Sequence, residues 1–328
     1  MEKTLLKKLE MRSSKKNSQK LKLGCCAIVF LFTLNFTACE EQNPKKNGEI
    51  VETMNSGKLD VLCDDAVYSL MQKPISWYLE TYNQVTLTVK PASCNEIMKN
   101  LLANQVRVCI ISRDYSPRED SLMKVYKVEK HVRMPIADDA IVFYVKTGNM
   151  LDSLTDKQLF DVFTRNEARL SKMNPSLAGK EPIFAISGSV NSSLFYNFKN
   201  LVAKGSKIVC PMKMLSTPDS VVDFVLNTPN AIGIGYLSHV ANNGKVRLIP
   251  IGFHDSSGKY FDAKPVHQSY LVQGLMPYKV THYVYVLEDR KNLPFWFATY
   301  LGKERRVMEY LRDSGIVPSF AKFQLIPE

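Results

Sequence analysis

Three times between Leu59 and Tyr126 the chain repeats one phrase, a short run rich in Val, Ile and Leu followed by an amphipathic segment. The runs are LDVLCDD, VTLTVKP and VRVCIIS. The segments behind them are VYSLMQKPISWYLETY, SCNEIMKNLLANQ and SPREDSLMKVY. Three consecutive strand–helix units dictate a parallel sheet with right-handed crossovers, hence an α/β fold. Start signals support the helices. Ser93 and Glu96 have the spacing of a capping box, and Ser116 precedes Pro117 at the first helical position with Glu119 at the third. Pro74 inside the first segment predicts a kink or a restart.

The middle of the chain differs. HVRMPIADDAIVFYVK is extended but too long for one ordinary strand, so it is expected to be a crossover between two lobes. SLTDKQLFDVF predicts a capped helix, EPIFAIS a strand, STPDSVVDFVLNT a helix capped by Thr217, and NAIGIGYLS a glycine-bearing strand. KVRLIPIG near Val246 is a second candidate crossover, THYVYVLED a further strand, and the final helical segments are divided near Gly302 and stopped by Gly315. The expected organisation is residues 58–136 with 246–328 as one lobe and 137–245 as the other, with a hinge and a central ligand cleft between discontinuous lobes. Trp77, Trp296 and Phe297 follow helical spacing beside other apolar residues and are expected in the core.

Residues 1–38 carry eight Lys or Arg against two Glu, then an uncharged run from Leu23 to Ala38. That is the layout of a secretory signal, and the run is shorter than the roughly 20 residues of a spanning helix. Residues 39–57 read as a polar tether. Without residues 1–38 the chain has 35 basic and 30 acidic residues, so the formal charge of +11 falls to +5. No basic stripe with interleaved aromatics remains, which argues against nucleic acid and leaves a balance suited to a small anion. Cys63, Cys94, Cys109 and Cys210 have no CxxC spacing, so no metal is expected; whether any two of them pair stays open. Five histidines, His131, His239, His254, His267 and His282, lie far apart, and no GxSxG, HExxH or P-loop pattern occurs. Neither a catalytic residue nor a cofactor is expected.

The stretch FAISGSVNSSLFYNF concentrates small polar residues, Ser187 to Ser193, ahead of the helical stripe Leu194, Phe195, Phe198, Leu201 and Val202. Its helix is expected to start at Asn191 or Ser192. Serines there either cap the exposed amides or leave them to an anion.

Four stretches in order, DDAVYSLM, VRVCIISRDYSPRED, ISGSVNSSLFYNF and TPNAIGIGYLS, resemble the type II periplasmic substrate-binding proteins of ABC importers, in particular the phosphate-binding branch in its lipoprotein form. The end of the apolar run, LNFTAC, resembles a lipobox, which implies lipidation at Cys39, a cell-envelope location facing the periplasm and a membrane held through that lipid. The resemblance implies a monomer that binds phosphate or a similar oxyanion and hands it to importer membrane subunits. It places Asn191, Ser192 and Ser193 in the second-lobe cradle and Ser112, Arg113 and Ser93 in the first, with Ser189 beside them. Asp65 or Asp114 is then the acceptor that selects a protonated oxyanion. The chain departs from the family where Ala66 replaces a hydroxyl residue, where Leu194 replaces a common Thr, and where no Arg occurs between Arg169 and Arg247. From the residues themselves, Arg113 can equally pair with Asp114 or a helix-start acid, Ser93 and Ser112 can be caps, and Asp64 and Asp65 can cap the first helix. The two readings that follow are an oxyanion-capturing importer component and an envelope sensor or interaction module on the same fold.

Overall fold

The computed structural model describes residues 52–177, 179–288 and 290–321. The signal segment, Cys39 and most of the tether lie outside the described residues. The first units appear as expected: β1 (Ser56–Asp64), α1 (Tyr68–Thr81), β2 (Gln84–Ala92), α2 (Cys94–Leu102), β3 (Val108–Ile111) and α3 (Pro117–Val125). β1 pairs in parallel with β2 on one side and β3 on the other. α1 runs through Pro74 as one helix. Proline removes one hydrogen bond, but Leu70, Met71, Ile75, Trp77 and Tyr78 on both sides of it are buried, and that packing holds the two halves in line.

The long extended run is a single strand, β4 (Val132–Lys146). It is followed by β5 (Leu154–Thr155), α4 (Asp156–Thr164), α5 (Leu170–Met173), β6 (Ile183–Ser187), α6 (Ser193–Asn197), β7 (Met212–Leu215), α7 (Pro218–Asn227), β8 (Ala231–Tyr236), α8 (Leu237–Val240), β9 (Val246–Leu248), β10 (Ile251–His254), β11 (Tyr260–Phe261) and α9 (Gln268–Val272). The chain closes with β12 (Lys279–Val286), α10 (Leu293–Lys303), α11 (Arg305–Asp313) and β13 (Val317–Pro318). The break between the last two helices falls at Glu304, and Gly302 stays inside α10. Trp296 is 37% exposed on the outer side of α10, whereas Phe297 beside it is fully buried.

The strand order is β2-β1-β3-β12-β4-β8-β6-β7, with β13 and β9 also on β4. β4 exceeds a usual strand because it serves two half-sheets: β12 pairs with Val132–Ala140, and β8 pairs with Ile141–Tyr144. The strand at Val246, expected to return the chain to the first lobe, lies instead on Tyr144–Lys146, and β10 pairs with β5. The strand that enters beside β3 is β12. This is the curled mixed sheet of the type II periplasmic-binding-protein fold. The core is continuous across both halves, from Val61, Met71 and Tyr78 to Phe163, Phe184 and Phe198. On α6 and the π-helical turn after it, Leu194, Phe198 and Val202 are at most 1% exposed, each contributing about 1.5–3 kcal/mol of burial. Gly233 in β8 is fixed by its neighbour: a side chain there would meet the Tyr144 ring at 2.3 Å. No helix of the described residues is long and apolar enough to cross a membrane.

Candidate functional site

Parallel strands end where helices begin, so the C-terminal ends of β1, β2, β3 and β6 bring loop and helix-start residues to one place. Hydrogen bonds tie these ends together. Asp65 N–H donates to Ala92 O at 3.1 Å, linking the loop after β1 to the end of β2. Across the two halves, Asn95 in α2 donates through its amide to Asn191 O (3.3 Å) and through Nδ2 to Asn191 Oδ1 (2.7 Å). Asn197 Nδ2 donates to Ser112 O (2.6 Å) and to the Tyr236 hydroxyl (3.0 Å), which also meets Ser193 Oγ at 3.2 Å. The halves are thus in contact around this point.

Ser192 is the N-cap of α6: its Oγ accepts from Phe195 N–H at 3.2 Å, so this serine does cap the helix. The amides of Ser193 and Leu194, the next two donors, have no acceptor among the described residues. Ser192 and Ser193 are buried, and Asn191 and Ser189 are exposed at the turn, where Ser189 Oγ accepts from Asn191 N–H. Gly188 bends the chain into that turn with φ +83°.

On the opposite side Ser93 holds the N-cap place of α2, but its hydroxyl caps nothing; the expected capping box is absent. The second amide of that helix, Asn95 N–H, takes Asn191 O instead. Ser112 is fully buried, and its Oγ has no hydrogen-bond partner among the described residues.

Arg113 is 4% exposed and bound on every side. Its Nη1 and Nη2 form a two-pronged pair with Glu119 at 2.7 and 2.8 Å, Nη1 also donates to Asp114 O, and Nε reaches Cys94 Sγ at 2.7 Å. The guanidinium lies 4.4 Å from the centre of the Tyr196 ring. Burial pushes the Glu119 carboxyl up, yet Arg113 outweighs it and holds the carboxyl below its ordinary value. Of the two readings from sequence, the geometry displays the pair with a helix-start acid: Glu119 also closes the capping box with Ser116.

Asp64 does not cap α1, whose N-cap is Val67. Its fully buried carboxylate accepts from the amides of Ala66 (3.1 Å) and Ser112 (3.2 Å). Asp114 is likewise engaged, by Arg133, the Tyr285 hydroxyl and Tyr115 N–H. Asp65 is exposed, in the turn between β1 and α1. Neighbouring protein atoms that displace water, and then the Asp64 charge, push it up to about 7. Ala66 is buried and brings no hydrogen-bonding side chain. Among the described residues no group of three His, Cys, Asp or Glu could hold a metal ion, and the four cysteines are free.

Sequence reasoning missed Asp64 as an acceptor for loop amides, Asn95, Asn197 and Tyr236. One signal was present. Asn197 is a polar residue lying inside the apolar stripe of its helix, and buried polar groups there need a specific partner.

The domain described as the PBP superfamily domain matches residues 51–304. The chain belongs to the PBP superfamily. Solved structures share the fold of this superfamily member. A Clostridium perfringens protein assigned as a phosphate ABC transporter substrate-binding protein, with bound phosphate, is 16% identical over 80% of this chain and 99% of its own, with a TM-score of 0.63. An ABC-type phosphate transport receptor from Vibrio cholerae is 13% identical over 79% and 99% of the two chains, TM-score 0.62. A Corynebacterium glutamicum OxyR mutant, 10% identical over 80% of this chain and 67% of its own, reaches 0.51. At these identities the likeness is one of fold. No curated protein sequence matches the chain.

Proposed function

We propose that this superfamily member is a solute-binding component of an ABC importer that captures an inorganic oxyanion, phosphate, between its two half-sheets. The observation that carries the reading is the meeting of four chain segments from both halves at one point, with two free amides and the Ser193 hydroxyl on one side and the Ser93 and Ser112 hydroxyls on the other. Amides fixed at a helix start suit an anion. Asp65, protonated below about 7, supplies a donor, and charged supplies the acceptor that a protonated oxyanion requires. Phosphate as the bound solute of a similarly folded protein from Clostridium perfringens supports the same choice. In this reading the protein binds and releases without chemistry or cofactor, works as a monomer, and is held in the cell envelope by lipid on Cys39 beside its importer subunits. Strand pairing favours a first lobe that the chain rejoins at β12 rather than at Val246.

One observation favours the second reading, an envelope sensor or interaction module. Arg113 is neutralised by Glu119, and the Asp64 carboxylate already takes the Ala66 and Ser112 amides, so these three groups are not left free for an anion. Calorimetric titration with phosphate, sulfate and molybdate separates the two. Selective phosphate binding, lost in a folded Ser192→Asp variant through like-charge repulsion, supports capture. Silence with all three anions, or unchanged affinity in that variant, removes it in favour of the sensor reading.

A further inference from the structure

β4 changes partners within two residues. Up to Ala140 it pairs with β12, and from Ile141 it pairs with β8, so Asp139 and Ala140 lie at the pivot between the half-sheets. The chain buries a charge there. Asp139 is 0% exposed; one oxygen accepts from the amides of Ala140 (2.6 Å) and Ser238 (3.3 Å), and the other meets His282 Nε2 at 3.0 Å. Ser238 belongs to α8, directly behind β8, and His282 belongs to β12, whose register with β4 shifts just after it. One carboxylate therefore ties together β4, β12 and α8.

Around it stand buried ring nitrogens with no partner among the described residues: Nδ1 of His282 and both nitrogens of His239. Tyr236 faces both histidines, its ring 5.4 Å from His282 and 6.1 Å from His239. The charges of Asp64 on β1 and Asp219 on α7 also act on His239. Burial nevertheless keeps the His239 imidazole below its ordinary value and hence neutral. Burial pushes the Asp139 carboxyl up, but the bonds from His282, Ser238 and Ala140 outweigh it and keep the carboxyl charged. Tyr236 carries the pivot to the cleft, since its hydroxyl holds Ser193 and Asn197.

We propose that Asp139, His282 and His239 are positioning residues that set the balance between open and closed half-sheets, and so the affinity of the cleft, without touching its ligand. The Asp139 carboxylate has all its donors only when α8 lies against the pivot, which favours closure. The unpartnered nitrogens of His239 and His282 find partners only when the pivot loosens, which favours opening. The two groups of contacts pull in opposite directions. The proposal rests on the reading that the cleft binds by closing.

The test is hydrogen exchange at the Asn95 amide, whose acceptor Asn191 O lies across the cleft, in the full chain without ligand. Asp139→Asn is expected to speed this exchange about tenfold and to weaken phosphate affinity by a similar factor. His239→Phe, which keeps the ring and deletes the nitrogens, is expected to slow the exchange several-fold and tighten binding. Exchange at Ile110, inside the first half-sheet, should stay unchanged in both, as a general loss of stability would not allow. Shifts of the same sign in both variants, or no shift at Asn95 in either, overturn the proposal. If Asp139→Asn does not fold, His239→Phe decides alone: slower exchange supports the proposal, and equal or faster exchange overturns it. Because the exchange is read without ligand, a wild-type chain that ignores phosphate defeats the phosphate reading and leaves this test standing.

Discussion

Replacing Glu119 by Gln should cost about 3 kcal/mol of folding stability, and the structure says why. The substitution leaves the Arg113 guanidinium, with its side chain 2% exposed, without a counter-charge. It also exchanges the carboxylate acceptor of one of the two bonds, 2.7 and 2.8 Å, for a neutral amide oxygen and loses the other bond. Uncovering a buried charge costs about 3–5 kcal/mol, and each bond to a charged group is worth about 1.5–3 kcal/mol. Arg113 keeps Asp114 O, Cys94 Sγ and the Tyr196 ring, which pulls the sum to the lower end. The Gln side-chain nitrogen would further face Ser116 N–H, which now donates to Glu119 Oε2 at 2.7 Å. Urea denaturation of both proteins at pH 7 gives the difference. The pH dependence supplies an independent check, because a carboxyl held low in the folded state adds stability above its ordinary range. That stability disappears as pH falls through the lowered value. The gap between wild type and variant should therefore close in acid. A loss below about 1 kcal/mol at pH 7, or a gap that does not narrow in acid, refutes the claim that Glu119 neutralises Arg113.

Asp65 should act in the opposite sense: with its carboxyl raised to about 7, the folded chain binds the extra proton, so stability falls as pH rises from 4 to 7. Asp65→Asn should gain on wild type across that window in urea melts. Gly188→Ala places a side chain at φ +83° and within 2.9 Å of Ser192 Cβ, and should lower the thermal midpoint while weakening any ligand of the α6 start. Asn197→Ala removes the donors to Ser112 O and Tyr236; faster exchange at Asn95 is expected, and unchanged exchange would mean that this amide does not hold the halves together.

The helix starts were legible because capping is local: Ser116 with Pro117 and Glu119, and Thr217 with Pro218, stand where the spacing puts them. The Ser93 box does not form, and the neighbouring Asn95 amide takes an acceptor no local pattern could name, Asn191 O from the other half of the sheet. The strand that spans both half-sheets escaped a length rule drawn from single sheets. Trp296 shows that helical spacing locates a stripe without saying which neighbour covers it. At the site, the serine-rich turn announced itself, whereas Asp64 reveals its purpose only when Ser112, far along the chain, arrives beside it. A pair between Arg113 and a helix-start acid stood in the sequence as one possibility among others, and the structure selects it with Glu119.

β12 has a consequence for the order in which the chain acquires its shape. It sits between β3 and β4 in the sheet although nearly the whole chain precedes it, while β6, β7, β8 and β9 all fall within residues 183–248. Closing the long loop from β3 to β12 comes at an entropic disadvantage that the short loops of the other half escape. The later half can therefore assemble on the far end of β4 first. The half that comes first in sequence keeps β3 bare along one edge until β12 reaches it.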